Sequence, residues 1–371
     1  MTSPLFRPLA VRGITLPNRI VMAPMCQYSA DPDGPDAGAP NDWHVQHYGS
    51  RALGRPGLII VEATGVSAEG RISAYDLGIW NDTQVAAHRR LTRFFRDNGV
   101  AAGIQLAHAG RKASSPRPFD GPFGSLEPAA DWQPIAPSAV AFAPDKQVPR
   151  ALDRAGIDEV IGQFAAAARR AREAGYDVIE IHAAHGYLLH EFLSPVSNTR
   201  TDEYGGPFDN RVRLLEQVTD AVRQAVGEQT PIFVRISATD WVEPAGWTAD
   251  DSVRLAARLR ERGVDVVHVS TGGNVADARI PVGPGYQVPF SRRIRQEAGV
   301  LTAAVGLIRD AEQAEEILDA GDADLIALAR EFLLDPLWPV TAARHLGEEW
   351  SLAPQYERAE ILARRDARTA V

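Results

Sequence analysis

Cysteine is almost missing: Cys26 is the only one in 371 residues. A single thiol excludes an internal disulfide, an all-cysteine zinc site and an iron–sulfur cluster, each of which needs several sulfurs. Long apolar runs are missing as well, and none approaches the roughly 18–20 residues a helix needs to span a bilayer. The opening stretch, Met1 to Pro8, lacks the basic region and apolar core of a secretory signal, so a cytoplasmic location is expected. Positive charge is in deficit: 39 Lys and Arg against 48 Asp and Glu leave a formal net charge of −9. That balance speaks against nucleic acid and anionic membranes as partners. No Gly-x-Gly-x-x-Gly follows the first apolar run, which weakens a doubly wound open sheet as the architecture.

What is present is one unit repeated. Eight short apolar runs, most of them rich in Val and Ile, lie at Ile20–Met25, Leu58–Ala63, Ala101–Ala107, Asp177–His182, Pro231–Ile236, Asp265–Ser270, Val300–Val305 and Ala323–Ala329. They lack strict polar alternation, as parallel strands covered on both faces do. Nearly all are separated by segments of helical period; Val212, Leu215, Val218, Val222 and Val226 make one such stripe. Asp310 with Gln313 has the spacing of a capping box, and Gly321 is placed to end the helix that follows. The expected fold class is α/β, a single (β/α)8 TIM barrel over residues 1–346. Residues 108–150, with eight prolines, form a long lid-like insertion after strand 3, on the C-terminal face; a surface loop with a small hairpin is the alternative. Residues 347–371 form a C-terminal tail.

Active sites of such barrels gather at the C-terminal ends of the strands. Those ends supply Ala23, Pro24, Met25, Cys26 and Tyr28, then Ala63, Gln105, the cluster His182, His185 and Tyr187, then Arg235, Ser270, Gly306, Ala329 and Arg330. The set holds imidazoles, a phenol, an amide, a thiol and guanidiniums, but no cluster of carboxylates. A catalytic zinc would want a third ligand beyond His182 and His185, so no metal is expected. Cys26 is either a nucleophile, which needs a neighbouring base or positive field, or a buried and inert thiol. A third use fits the whole set. Two N–H donors on a carbonyl favour the negative charge that develops when a conjugated double bond accepts a hydride, and a tyrosine can complete the reduction with a proton. The hydride must then come from a cofactor. Gly306 and Arg330 lie where these barrels bind phosphate, and Gln105 and Arg235 suit a flat heterocycle, which together describe flavin mononucleotide.

Longer segments carry a resemblance. Leu16-Pro-Asn-Arg-Ile-Val-Met-Ala-Pro-Met-Cys-Gln-Tyr28, Gln105-Leu-Ala-His-Ala-Gly-Arg-Lys112, His182-Ala-Ala-His-Gly-Tyr-Leu-Leu-His-Glu-Phe-Leu-Ser-Pro195 and Asn198-Thr-Arg-Thr-Asp-Glu-Tyr-Gly-Gly206 follow in order. From about residue 4 to residue 358 the chain resembles the old yellow enzyme family of FMN-dependent ene-reductases, and Cys26 with Tyr28 resembles its thermophilic-like bacterial subgroup. The resemblance implies reduction of the C=C bond of α,β-unsaturated carbonyl compounds, with NADPH or NADH as hydride donor, flavin N5 delivering the hydride and Tyr187 the proton. It implies Ala23, Pro24, Met25, Cys26, Ala63, Gln105, Arg235, Gly306, Ala329 and Arg330 around FMN. It implies His182 and His185 on the substrate carbonyl and Tyr28 beside it. Lys112 is expected either near the flavin edge or as a solvated loop residue. Ala329 departs from a frequent glycine. Arg358, in a tail similar to one that enters a neighbouring active site, implies a substrate contact within a homodimer or homotetramer. Related barrel reductases with iron–sulfur clusters are excluded by the lone cysteine. A non-enzymatic flavin sensor built on Cys26 and a flavin-free lyase are the remaining rivals.

Overall fold

The computed structural model describes residues 3–120, 132–350 and 352–359. The eight apolar runs are its eight barrel strands: β1 Ile20–Met22, β2 Leu58–Gly65, β3 Ala101–Ala107, β4 Val178–Ala183, β5 Ile232–Ser237, β6 Val266–Ser270, β7 Leu301–Ala304 and β8 Leu325–Leu328. Each pairs in parallel with the next, and β8 pairs with β1, closing the barrel in sequence order. Two apolar clusters divide the side chains between the faces of these strands. Ile20, Met22, Ile59 and Val61 join the cluster shared with the surrounding helices, while Val21, Leu58, Ile60, Val178, Phe233 and Val266 fill the interior. Both faces being covered is why the strands read as continuous apolar runs.

A hairpin not anticipated from the sequence, Leu9–Val11 paired with Ile14–Leu16, belongs to the interior cluster through Val11 and Leu16. Arg12 at its tip reaches Asp265 at 2.8 Å and the backbone oxygen of Glu228 at 2.9 Å, both just ahead of barrel strands. The hairpin therefore covers the N-terminal end of the barrel. Above it the interior changes character: apolar residues give way toward the strand exits to Gln105, Glu180, His182, Arg235 and His268, all buried.

The expected helix stripe is present in Arg213–Val226, where Leu215, Val218 and Val222 are buried and Val226 is partly so. Asp310 caps the helix Ala311–Asp319 by accepting the Gln313 N–H at 2.8 Å. The reciprocal bond differs from a capping box, because Gln313 accepts the N–H of Arg309 and not that of Asp310. The described parts of the insertion, 108–120 and 132–150, contain a short pair, Ile135–Ala136 with Arg150–Ala151, that runs parallel and so is not a hairpin. The Trp132 indole donates to the backbone oxygen of Glu69 at 2.9 Å, and the Arg111 guanidinium to that of Asn274 at 2.7 Å. These bonds tie the insertion to the loops after β2 and β6.

Candidate functional site

His182 occupies the inward face near the end of β4, paired in register with Arg235 of β5. The chain then turns sharply, with His185 at φ 60° and Gly186 at φ 73°. The left-handed region is costly for a histidine, and only glycine fits at 186, where a Cβ would lie 2.3 Å from the Gly273 carbonyl oxygen. The turn sets His185 and Tyr187 around His182. The His182 and His185 ring centroids are 5.1 Å apart at 89°, and those of His182 and Tyr187 are 5.0 Å apart at 84°. Burial, followed by the charge of Arg235, pushes both imidazoles well below their usual pKa, so each is neutral near pH 7. Burial likewise raises the Tyr187 phenol, which keeps its proton.

Neutral imidazoles have one donor each, and the surroundings decide which nitrogen carries it. His182 Nδ1 accepts the Ala184 N–H at 3.3 Å, leaving Nε2–H as its donor. His185 Nε2 lies 2.8 Å from Ser270 Oγ. The alternative acceptor for Ser270, Gln287 Oε1 at 3.3 Å, already takes the Thr271 hydroxyl at 2.7 Å. With the Ser270 hydroxyl donating along this shorter contact to Nε2, His185 would offer Nδ1–H. Lys112 is not a solvated loop residue: its Nζ donates to the backbone oxygens of His185 at 3.0 Å and Gly273 at 2.9 Å. Burial lowers its pKa to about 8.

Below this cluster Gln105 and Arg235 meet two partners that the sequence did not reveal, Glu180 and His268. Gln105 Nε2 donates to Glu180 Oε1 at 2.7 Å, and His268 Nδ1 lies 2.8 Å from Glu180 Oε2. Burial alone would raise the Glu180 pKa, but His268, Arg235 and Gln105 hold it below the usual carboxylate range. With its amide group anchored in this way, Gln105 keeps its carbonyl oxygen for another donor. Arg235 Nε and His268 Nε2 are buried without a hydrogen-bond partner, and such groups are costly unless a ligand or water meets them.

At the β1 exit, Ala23 is buried and Pro24, Met25, Cys26 and Tyr28 are half-buried. A register shift in β2 between Val61 and Ala63 turns Glu62 away from the regular pattern. Glu62 then accepts the Gln27 N–H at 2.7 Å and meets His44 at 3.2 Å, fixing the loop from outside the barrel. Burial, followed by the charges of Asp76 and Glu62, pushes the Cys26 thiol well above its usual pKa, so it stays protonated. Tyr28 has φ 52°, and Phe119 of the insertion stands edge-on to it at 6.4 Å.

Between the ends of β7 and β8 a cleft is lined by Arg235, Ser270, Tyr286, Gly306, Ala329 and Arg330. Gly306 has φ 123°, and a Cβ there would meet the Gln287 carboxamide at 2.7 Å. Ala329 has φ −114°, a conformation that makes no demand for glycine. Thus the strand-exit residues converge on one mouth. Arg358 does not join them: it is exposed on the tail, in the segment after Tyr356.

A model of the NADH:flavin oxidoreductase / NADH oxidase family matches residues 4–349. The NADPH dehydrogenase of Geobacillus sp. (strain WCH70) is 51% identical over 358 residues, 96% of this chain and 99% of that protein. The NADPH dehydrogenase of Geobacillus thermodenitrificans (strain NG80-2) is 50% identical with the same coverage. Among solved structures, an old yellow enzyme homologue from Zymomonas mobilis superposes with a TM-score of 0.75 at 29% identity, covering 94% of each chain. No helix among the described residues is long and apolar enough to cross a membrane.

Proposed function

The chain belongs to the NADH:flavin oxidoreductase / NADH oxidase family, an oxidoreductase working with FMN and a nicotinamide donor, and from that premise we propose that it reduces the C=C bond of α,β-unsaturated aldehydes and ketones. The observation that carries the reading is the pair of neutral imidazoles set at 89°, with Tyr187 on the flank of one of them. Two fixed N–H donors on one oxygen stabilise developing negative charge without reorganisation.

The mouth fits FMN. Arg235 Nε and His268 Nε2 are buried atoms in want of a partner, Gln105 has its amide orientation fixed, and Gly306, at φ 123°, presents bare backbone to the cleft. Ala23, Pro24, Met25, Cys26, Ala63, Gln105 and Arg235 would hold the ring system, and Gly306, Ala329 and Arg330 the phosphate. When bound, FMN supplies the hydride taken from NADPH or NADH. His182 Nε2–H and His185 Nδ1–H then hold the substrate carbonyl, and the protonated Tyr187 gives its proton to the carbon next to it. Tyr28 lines the substrate side, with Phe119 of the insertion against it, so the described part of the insertion around Phe119 would help cover the mouth. Arg358 is proposed to complete the substrate site of a neighbouring copy in a homodimer or homotetramer.

Tyr187→Phe should abolish most reduction of cyclohexenone while FMN content stays normal. Unchanged turnover would remove Tyr187 as the proton source. His182→Ala and His185→Ala should each weaken binding of a phenol by roughly 1.5–3 kcal/mol, as loss of a hydrogen bond to a charged oxygen does.

A further inference from the structure

We propose that His190, backed by Asp240, is a positioning residue that fixes the turn presenting His185 and Tyr187; the role rests on the carbonyl-clamp reading above. The backbone N–H of Gly186, which lies between those two residues, donates to His190 Nδ1 at 2.9 Å. His190 is fully buried and Gly186 is buried. An imidazole accepts at Nδ1 only if its proton sits on Nε2. His190 Nε2 faces Asp240 Oδ1 at 3.1 Å, an ion-pair contact without hydrogen-bond alignment, and neither atom has another partner.

Asp240 is itself held from three other directions. Its Oδ2 accepts the Ser194 hydroxyl at 2.5 Å, the Trp247 N–H at 2.9 Å and the Asn274 amide at 3.5 Å. Burial alone would raise its pKa, but His190, Ser194 and the Trp247 N–H hold it below the usual range, so the carboxylate stays ionised. An ionised carboxylate opposite Nε2 dictates the Nε2–H form, and that form alone offers Gly186 a lone pair. The reverse tautomer would set N–H against N–H at the one peptide whose neighbours are the proposed clamp and proton source. A buried N–H left without an acceptor is costly, and the turn has little room to adjust: Gly186 stands at φ 73° against the Gly273 backbone. The pair therefore acts on the site by orienting it, without touching substrate.

The chemistry predicts an asymmetric rescue. An asparagine at 190 places its Oδ1 at the branch position of Nδ1 and can accept the Gly186 N–H. A glutamine places its polar atoms one bond further out, at the distance of Nε2, and a leucine offers none. The probe is 4-hydroxybenzaldehyde, whose phenolate oxygen stands in for the charge that develops on a substrate carbonyl, titrated into the FMN-loaded enzyme. His190→Leu and His190→Gln should weaken its binding by on the order of tenfold, the loss of a buried hydrogen bond transmitted to the clamp. His190→Asn should return to within about threefold of the unaltered enzyme. Equal binding by the Leu and Asn variants overturns the positioning role alone. Failure of the unaltered enzyme to bind the phenol or reduce cyclohexenone overturns the clamp, and the positioning role with it. Should the variants not fold, neutron diffraction on the unaltered holoenzyme reads the proton directly. A deuteron on His190 Nε2 and none on Nδ1 is the expected result, and the reverse overturns the proposal.

Discussion

At the scale of single residues, the site depends on where protons sit on neutral rings. Ser270 is the residue that settles this for His185, since its hydroxyl stands 2.8 Å from Nε2. Ser270→Ala should release the ring to the other tautomer and weaken phenol binding by about 0.5–1.5 kcal/mol, a few-fold in Kd by titration. Unaltered affinity would show that His185 presents the same nitrogen without help. The sequence made the ring-bearing residues themselves legible, because polar groups crowded at the exit of an apolar strand are hard to bury without partners. It hid their partners. Glu180 meets His268 across 88 positions, and His190 meets Asp240 across 50, separations that no local pattern encodes. The face on which Glu180 lies was open too, since a strand apolar on both sides has no alternation to read. Desolvation raises the pKa of the Cys26 thiol, which disfavours the thiolate that a reactive cysteine uses.

At the scale of elements, each of the eight strands begins and ends within a few residues of an apolar run, and those runs needed no long-range information. The N-terminal hairpin Leu9–Leu16 was not legible, because three-residue strands are too short for periodicity to mark. Its weight in the fold is nevertheless large. Leu16 is fully buried in the barrel interior, so Leu16→Ala should cost about 2–5 kcal/mol of stability, the range for buried leucine truncation. Denaturant unfolding would measure it, and a loss below about 1 kcal/mol would mean that the hairpin is a loose flap and not part of the core. The insertion was legible as a long proline-rich connection, but its middle, residues 121–131, lies outside the described residues.

At the scale of the whole molecule, buried titratable groups set the response to acid. Burial lowers His47 and His88 to about 3 and His108 to about 4, and His182, His185 and His268 move in the same direction. As pH falls through about 6.5, the unfolded chain takes protons on these histidines while the folded chain does not. Their stabilisation is complete above that pH and declines down to about 3–4. Asp76 and Glu191 act in the opposite sense: burial raises them to about 7 and about 8, so the folded chain holds their protons first. Six histidines against two carboxyls leave a net loss, at up to about 1.4 kcal/mol per pH unit for each uncompensated proton. Calorimetry should find Tm falling steeply between pH 6.5 and 5; a Tm that rises over that interval would contradict the burial of these rings.

The barrel is a cup and not a pipe. With Val11 and Leu16 closing the N-terminal end, the barrel opens, among the described residues, at the strand exits beside the turn. On the proposed reading, electron donor and electron acceptor would share that doorway, and whichever arrived second would wait for the first to leave.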